Sequence, residues 1–327
     1  MQINSWKNEW ELSLIKVLEE WFGLEDNISF FTSGSTGIPK KVDFTRKQIE
    51  GSAKLTELTF NLGQKSKALL CLHPKYVAGK MMVLRTIING WELTVAEPSR
   101  IPFVDKQYDF SAMVPMQIES LIDENSESLE KIQKVIIGGA PISENLHRKI
   151  LGLSNKCYAT YGMTETLTHV AIQQLNGSDM SNCFTGLVGV ELNQDENNCL
   201  NIIASHLCSD KIQTNDVVRF VDFGKFIWLG RYDNVINSGG VKIHPEQIEK
   251  KLEKLINRRL FIYGEEDDKL GEKVVLVIEG KRFDSITLNL LKNHLKDVLS
   301  KFEKPKKIIF IPKMKETISG KLIREII

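Results

Sequence analysis

Along the first stretch of the chain the apolar residues Trp6, Trp10, Leu14, Val17, Leu18, Trp21 and Phe22 recur at helical spacing and stop at Gly23, which predicts an amphipathic helix with its tryptophans in the core. Ile28-Ser29-Phe30-Phe31 then reads as a short strand that ends in the small-residue run Thr32 to Gly37. After a second short strand, Thr45 and Gln48 have the spacing of a capping box for a helix running towards Leu62. Beyond it, apolar β-type runs (68–72, 93–96, 111–114, 135–137) alternate with helical stretches (77–89, 115–132, 143–153). That rhythm predicts an α/β fold, a large lobe whose parallel-type βαβ layers form a sheet covered by helices. Between about 183 and 230, short strands separated by turn residues predict a small antiparallel or barrel-like β subdomain. From 234 onward, helical patterns at 245–257 and 286–300 mix with strands at 259–263, 273–279 and 307–311, as in a small C-terminal α+β lobe.

Composition narrows the class. At 327 residues the chain is long enough for about two domains, and 42% hydrophobic with 26% charged residues is the balance of a soluble globular protein rather than a disordered one. The cysteines, at 71, 157, 183, 199 and 208, are scattered, odd in number and free of C-x-x-C spacing, so neither a disulfide framework nor a zinc site is indicated and a reducing cytoplasm is expected. Lys7, Glu9, Glu11 and Lys16 interrupt the apolar run that a signal peptide or membrane span needs, so no membrane insertion is expected. Net charge is +1 but uneven: residues 1–233 carry 23 Lys+Arg against 28 Asp+Glu, and residues 234–327 carry 20 against 14. A basic small lobe could attract a phosphate-rich ligand, although a solvated lysine-rich face is the plainer account. Neither half is basic enough to indicate nucleic acid.

The chemistry begins at Thr32-Ser33-Gly34-Ser35-Thr36-Gly37-Ile38-Pro39-Lys40-Lys41, where hydroxyls and glycines precede a lysine pair between two strands. Glycines let backbone N–H groups converge on an anion, hydroxyls add donors and a lysine adds charge, which together make a phosphate cradle. It is not a P-loop, because Pro39 stands where the Walker pattern needs glycine. A flexible Ser/Gly linker is the alternative, and the flanking hydrophobic strands argue against it.

This run resembles the signature loop of the adenylate-forming superfamily, which includes acyl-CoA synthetases, luciferases and the adenylation domains of peptide synthetases. Further motifs of that superfamily follow in order, so the resemblance covers nearly the whole chain. It implies that Thr32, Ser33, Gly34, Ser35, Thr36, Gly37 and Lys40 hold phosphates. Tyr161-Gly162-Met163-Thr164-Glu165-Thr166 resembles the second motif, implying that Tyr161 stacks on adenine, Thr164 approaches the α-phosphate and Glu165 holds Mg2+. An aromatic face suits a purine and a carboxylate suits a hard cation, yet alone the hexapeptide also reads as a helix start with an acidic first turn. Ile136 to Pro141 is similar to the strand-end segment that lines the acyl pocket and adenine edge, which implicates Gly138, Gly139 and Ala140. Asp216 and Arg231 match the residues used on the ribose hydroxyls, and Asp233 matches the hinge. The implied division is an ATP- and acyl-binding lobe at 1–232 and a small mobile catalytic lobe at 233–327. Ser238, Gly239 and Gly240 lie in a run resembling the loop that builds the pantetheine tunnel, with a plain β-turn as the alternative. Thr317 to Arg324 looks like the closing motif, which makes Lys321 the catalytic lysine.

The resemblance implies ATP, Mg2+ and coenzyme A as the small molecules handled, together with a carboxylic acid. Acyl-adenylate and pyrophosphate form first; rotation about Asp233 then exchanges Lys321 for the 238–242 loop, and acyl-CoA and AMP follow. Cys71 to Gly79 and Gly138 to Pro141 look most like the 2-succinylbenzoate-CoA ligases of menaquinone synthesis, with Tyr76 standing where those carry histidine on the acyl pocket. Only 31 residues precede Thr32, so most of the usual first subdomain is expected to be absent, a compactness that points away from fatty-acyl and peptide-synthetase types. A second substrate carboxylate would need a partner, for which His169, Lys80 and Arg85 are candidates; a purely structural histidine is the alternative for His169. Another acyl-CoA or acyl-carrier-protein ligase and a catalytically silent nucleotide-binding homologue compete with this reading. Retention of Lys321, Glu165 and the 32–41 loop argues against the last.

Overall fold

The computed structural model describes residues 8–31, 41–207, 211–316 and 322–324. The first helix, Glu9–Phe22, begins where Glu11 turns back to accept the Asn8 N–H at 3.0 Å. Leu14 and Val17 are its buried residues, whereas Trp10 and Trp21 are only half-buried and Trp6 lies outside the described residues. The deepest core positions thus go to the aliphatics, while Trp21 packs against the edge of that core and lies under the Arg46 guanidinium at 5.2 Å. The predicted capping box is formed: the Thr45 N–H donates to Gln48 Oε1 at 2.7 Å and Thr45 Oγ1 accepts the Gln48 N–H at 3.3 Å. It opens the helix Arg46–Thr59 and contributes about 1 kcal/mol.

One sheet of eleven strands organises the large lobe. From one edge run the antiparallel strands Val190–Gln194, Cys199–Ala204, Ile212–Asp222, Lys225–Arg231, Phe184–Gly186 and His169–Gln174; then come the parallel strands Lys156–Gly162, Ile132–Ile137, Tyr108–Met113, Lys67–Leu70 and Glu92–Val95. The predicted change to short antiparallel strands thus occurs as a hydrogen-bonded continuation of the parallel sheet through His169–Gln174.

The parallel half is covered on both faces. Phe110, Ala112 and Ile136 join the core under the first three helices with Phe60, Met81 and Leu84, while Met113, Val135 and Ile137 join Ile118, Leu121, Leu146 and Ile150 of the helices Pro115–Glu130 and Glu144–Ile150. Apolar residues on both faces are why these strands read as unbroken runs.

The C-terminal sheet pairs Val241–Ile243 with Ile236–Ser238, then Gly271–Glu279 and Leu260–Asp267, and Lys307–Ile311 lies parallel to Gly271–Glu279. Helices Pro245–Leu252 and Ser285–Val298 bury Ile248, Leu252, Leu291 and Leu295 against it. This lobe meets the large one through Gln247, whose amide donates to the Trp228 and Leu229 carbonyls at 3.2 and 2.9 Å, and through Lys250 and Lys254, 3.1 and 3.3 Å from Glu144. Among the described residues no helix is long and apolar enough to cross a membrane.

Candidate active site

In an open α/β sheet the carboxyl ends of parallel strands form a ligand crevice, above all where the strand order reverses. Here it reverses beside Lys67–Leu70, which has Glu92–Val95 on one side and Tyr108–Met113 on the other. The register sets Met113 against Ile137 and Ile137 against Ala159, so Val114, Gly138 to Ala140 and Thr160 to Met163 emerge side by side. Buried Gln117 ties this rim together: its amide donates to the Cys71 carbonyl at 3.0 Å and the Ser99 carbonyl at 2.9 Å, and its Oε1 accepts the Val114 N–H at 3.2 Å. Glycine is required at 138, where a Cβ would fall 2.6 Å from Thr160 Oγ1, and Gly139 has a left-handed φ of +87°.

Tyr161 and Asp216, 55 residues apart in sequence, meet here. The phenol donates to Asp216 Oδ2 at 2.6 Å, and burial holds it above the ordinary tyrosine range, so it stays protonated as a donor. The Trp228 indole N–H donates to Asp216 Oδ1 at 3.1 Å, and Arg231, facing Asp216 in the strand register, brings a guanidinium nitrogen to 3.8 Å. Thr214 Oγ1 accepts the Asp216 N–H at 3.1 Å. The Tyr161 ring stands edge-on to Phe226 and Phe184 at 5.3 and 5.9 Å.

Thr164–Thr166 form a short 3-10 turn after Met163. It ends at buried Leu167, with φ 58° and ψ −52° and the Thr168 N–H donating to the Thr166 carbonyl at 2.5 Å. Such a γ-turn costs a non-glycine residue on the order of 1–3 kcal/mol, strain of the kind found where a loop must present a side chain to a ligand. Glu165, the middle residue of the turn, is half-buried and makes no ion pair among the described residues. No group of three or more His, Cys, Asp or Glu that could hold a metal occurs among the described residues.

His169 is buried beside this turn, in register with Gly162. Burial, and the charge of Arg85, keep its pKa well below the usual value, and its Nε2 has no partner among the described residues. Arg85, on the helix Val77–Asn89, is 2% exposed; its Nε is unpartnered and Nη1 reaches only Met82 Sδ at 3.8 Å. Lys80 on the same helix is occupied, pairing with Glu20 and donating to the Ser29 carbonyl at 2.9 Å. Tyr76 caps that helix 54% exposed, its ring 5.8 Å from His73.

Asp233 lies in the turn Tyr232–Asn234, where Asn215 donates to its carboxylate and Arg231 approaches to 3.9 Å. Ser238, Gly239 and Gly240 form a hairpin whose glycines both have positive φ, 60° and 79°, as a type I′ turn demands. The hairpin packs within the small lobe, with the Gly239 N–H donating to Leu270 at 2.8 Å, and no hydrogen bond among the described residues joins it to Tyr161 or Asp216. The 32–40 loop and Lys321 lie outside the described residues. Trp228, Gln117 and Thr214 escaped the sequence reading; of these only Thr214, two residues before Asp216, carries a local turn signal.

Fold and crevice define an α/β protein of the adenylate-forming type. The chain belongs to the AMP-binding enzyme family, whose model matches residues 24–195. It is 25% identical over 317 residues to the 2-succinylbenzoate–CoA ligase of Lactococcus lactis, covering 90% of this chain and 69% of that one. To the same ligase of Escherichia coli it is 26% identical, covering 86% and 64% respectively, so the chain spans about two thirds of these relatives. Among solved structures, an acyl-CoA synthetase (AMP-forming)/AMP-acid ligase II-like protein from Dyadobacter fermentans is 38% identical, with 97% and 93% coverage and a TM-score of 0.67. O-succinylbenzoate coenzyme A synthetase from Bacillus subtilis, solved with ATP and magnesium, shares the fold at TM-score 0.76, 19% identity, and coverage of 90% of this chain and 68% of that one.

Proposed function

We propose that the protein is an ATP-dependent acid–thiol ligase acting on a dicarboxylic aromatic acid, 2-succinylbenzoate, with coenzyme A as the thiol. The observation that carries the substrate reading is Arg85, a buried guanidinium beside neutral His169 with no carboxylate of the described chain to balance it. Such a charge calls for an anion from the ligand, because an uncompensated buried cation is otherwise strongly unfavourable. The relatives named above as 2-succinylbenzoate ligases support the same choice.

In this reading adenine lies against Tyr161, and Asp216 accepts the ribose hydroxyls with Arg231 beside it. Gly138, Gly139 and Ala140 line the acyl and adenine edges, and Thr164 with Thr32 to Gly37 and Lys40 holds the phosphates. Glu165 holds the Mg2+ that screens their charge. A substrate carboxylate oxygen attacks the α-phosphorus, the bond to the bridging oxygen breaks, and pyrophosphate leaves with the electron pair. Lys321 stabilises the charge as the two anions meet. The thiol sulfur, having lost its proton, then attacks the acyl carbon and AMP departs. Asp233 is the hinge between 1–232 and 233–327, and Ser238, Gly239 and Gly240 line the thiol's route.

Tyr76, where the succinylbenzoate ligases carry histidine, favours a second reading in which the acid is a different dicarboxylate. Pyrophosphate exchange across a panel of carboxylic acids tests both: exchange with 2-succinylbenzoate supports the first, exchange with another diacid the second, and exchange with none removes the ligase reading.

A further inference from the structure

Past the carboxyl end of a parallel strand the ladder stops, and the buried backbone groups there need partners from elsewhere. Where the strand order reverses, the segments leaving three such ends are held by one side chain. Gln117, on the helix Pro115–Glu130, is 3% exposed. Its amide hydrogens go to the Cys71 carbonyl, just beyond Lys67–Leu70, and to the Ser99 carbonyl, beyond Glu92–Val95. Its oxygen takes the N–H of Val114, which directly follows Tyr108–Met113. Glutamine is the side chain that offers two donors and an acceptor at this reach: an ionised glutamate cannot donate, and asparagine is a methylene shorter. Arg100, next to Ser99, is also tied to the helix, through Ser120 Oγ at 2.7 Å, but that bond reaches neither of the other ends. Among the described residues no other side chain bonds to all three segments.

Two of these ends continue into walls of the crevice. After Cys71, the Leu72 and His73 carbonyls abut the first turn of the helix that carries Arg85, so closely that a Cβ on Gly79 would fall 2.9 and 2.4 Å from them. On the other side the Gly138 N–H donates to the Met113 carbonyl at 3.2 Å, and a Cβ on Gly139 would lie 3.5 Å from Val114 Cγ1. A shift at either end is passed on through these contacts, because a close-packed interior has no slack to absorb it. We propose that Gln117 is a positioning residue that sets the separation of the two walls, and with it the fit of the substrate acid. The inference rests on the ligase reading, in which Arg85 and Gly138 to Ala140 face the acid. It leaves the nucleotide largely untouched, since Tyr161 and Asp216 are held by Trp228, Thr214 and Arg231, none of which bonds to Gln117.

Pyrophosphate exchange by the whole chain, with an acid that supports it in the wild type, tests this through the split between the two substrates. Gln117→Met keeps the length of the side chain and none of its hydrogen bonds. Its kcat/KM for the acid should fall by about 100-fold, the cost of a misplacement near 1 Å, chiefly through KM, with KM for ATP within about threefold of wild type. Gln117→Glu keeps the acceptor for Val114 and loses the paired donation, so KM for the acid should rise by about tenfold; this variant serves if Gln117→Met does not fold. A purely structural role would shrink the folded fraction, lowering kcat and leaving both KM values alone. An unchanged acid KM in a folded variant, an ATP KM that rises in step with it, or failure of both variants to fold overturns the inference alone. A wild type that exchanges with no acid overturns the ligase reading and the inference with it.

Discussion

Replacing Arg85 with methionine should make the free protein more stable and its discrimination between acids poorer. Burial alone pushes the guanidinium from its ordinary range down to about 10, with no carboxylate among the described residues opposing the effect. At 1.36 kcal/mol per pH unit, that is a penalty of roughly 3 kcal/mol on the charged form. Methionine keeps the aliphatic stem and turns the contact with Met82 Sδ into an apolar one. Subtracting about 1 kcal/mol for imperfect filling leaves a net gain on the order of 1–2 kcal/mol. Urea unfolding without ligand should show a higher midpoint at an unchanged slope. In pyrophosphate exchange, loss of a charge-assisted contact of about 1.5–3 kcal/mol should cut kcat/KM for 2-succinylbenzoate by roughly ten- to 150-fold. An analogue lacking the ring carboxylate should be unaffected. Destabilisation by more than about 1 kcal/mol would show that the guanidinium has a structural partner, and equal loss on both acids would show that it does not read the second carboxylate.

Three further outcomes follow from the same geometry. Lys321→Ala should lower adenylate formation by about 10²–10³-fold while thiol transfer from supplied acyl-adenylate continues, and an equal fall in both half-reactions would remove its assigned role. Tyr161→Phe keeps the ring but deletes the donor to Asp216, so calorimetry should show weaker ATP binding and a stability loss of about 1–2 kcal/mol; unchanged values in both would count against the pair. Burial lowers the pKa of His169, His206 and His244 below 6.5, so the unfolded chain binds protons first as pH falls. Stability should therefore be full above about pH 6.5 and decline below it, by up to about 1.4 kcal/mol per pH unit for each such histidine. His169→Gln should flatten that slope, and parallel slopes for variant and wild type would be the contrary result.

Much of the element order was legible because local chemistry agreed with the fold: Thr45 and Gln48 cap a helix wherever they are placed, and strands buried on both faces cannot look like anything but apolar runs. The site was legible only as residue types. Asp216 could be picked out, but not that Trp228 holds it, because that contact depends on how Ile212–Asp222 registers with Lys225–Arg231. Arg85 was visible as one candidate of three. That Lys80 is consumed by Glu20 while Arg85 faces no carboxylate among the described residues depends on the first helix packing over Val77–Asn89, a long-range event that no local pattern records. The first helix shows the converse: its spacing predicts the element, but which side chains bury deepest is set by its packing over Val77–Asn89, which buries Leu14 and Val17 and leaves Trp10 and Trp21 partly buried.

The strand Lys225–Arg231 shows how binding crevice and small lobe are coupled at so short a range. Its register with Ile212–Asp222 steps from Val217 opposite Gly230 to Val218 opposite Trp228, so Leu229 is an extra residue and the ladder is broken there. A bulge does two things: it re-aims neighbouring side chains and it leaves backbone groups unpaired. Trp228 is thereby turned so that its indole reaches Asp216, and the Trp228 and Leu229 carbonyls are left to accept the two donors of Gln247. Gly230, next along, carries no side chain where Glu246 abuts, and Arg231 follows with its guanidinium towards Asp216 and its N–H towards Glu246. In a regular strand successive carbonyls point to opposite edges, so two neighbouring ones could not both meet a single amide nitrogen; the bulge lets Trp228 and Leu229 do so. The irregularity that aims Trp228 at the crevice is therefore the same one that supplies the docking point for the C-terminal lobe.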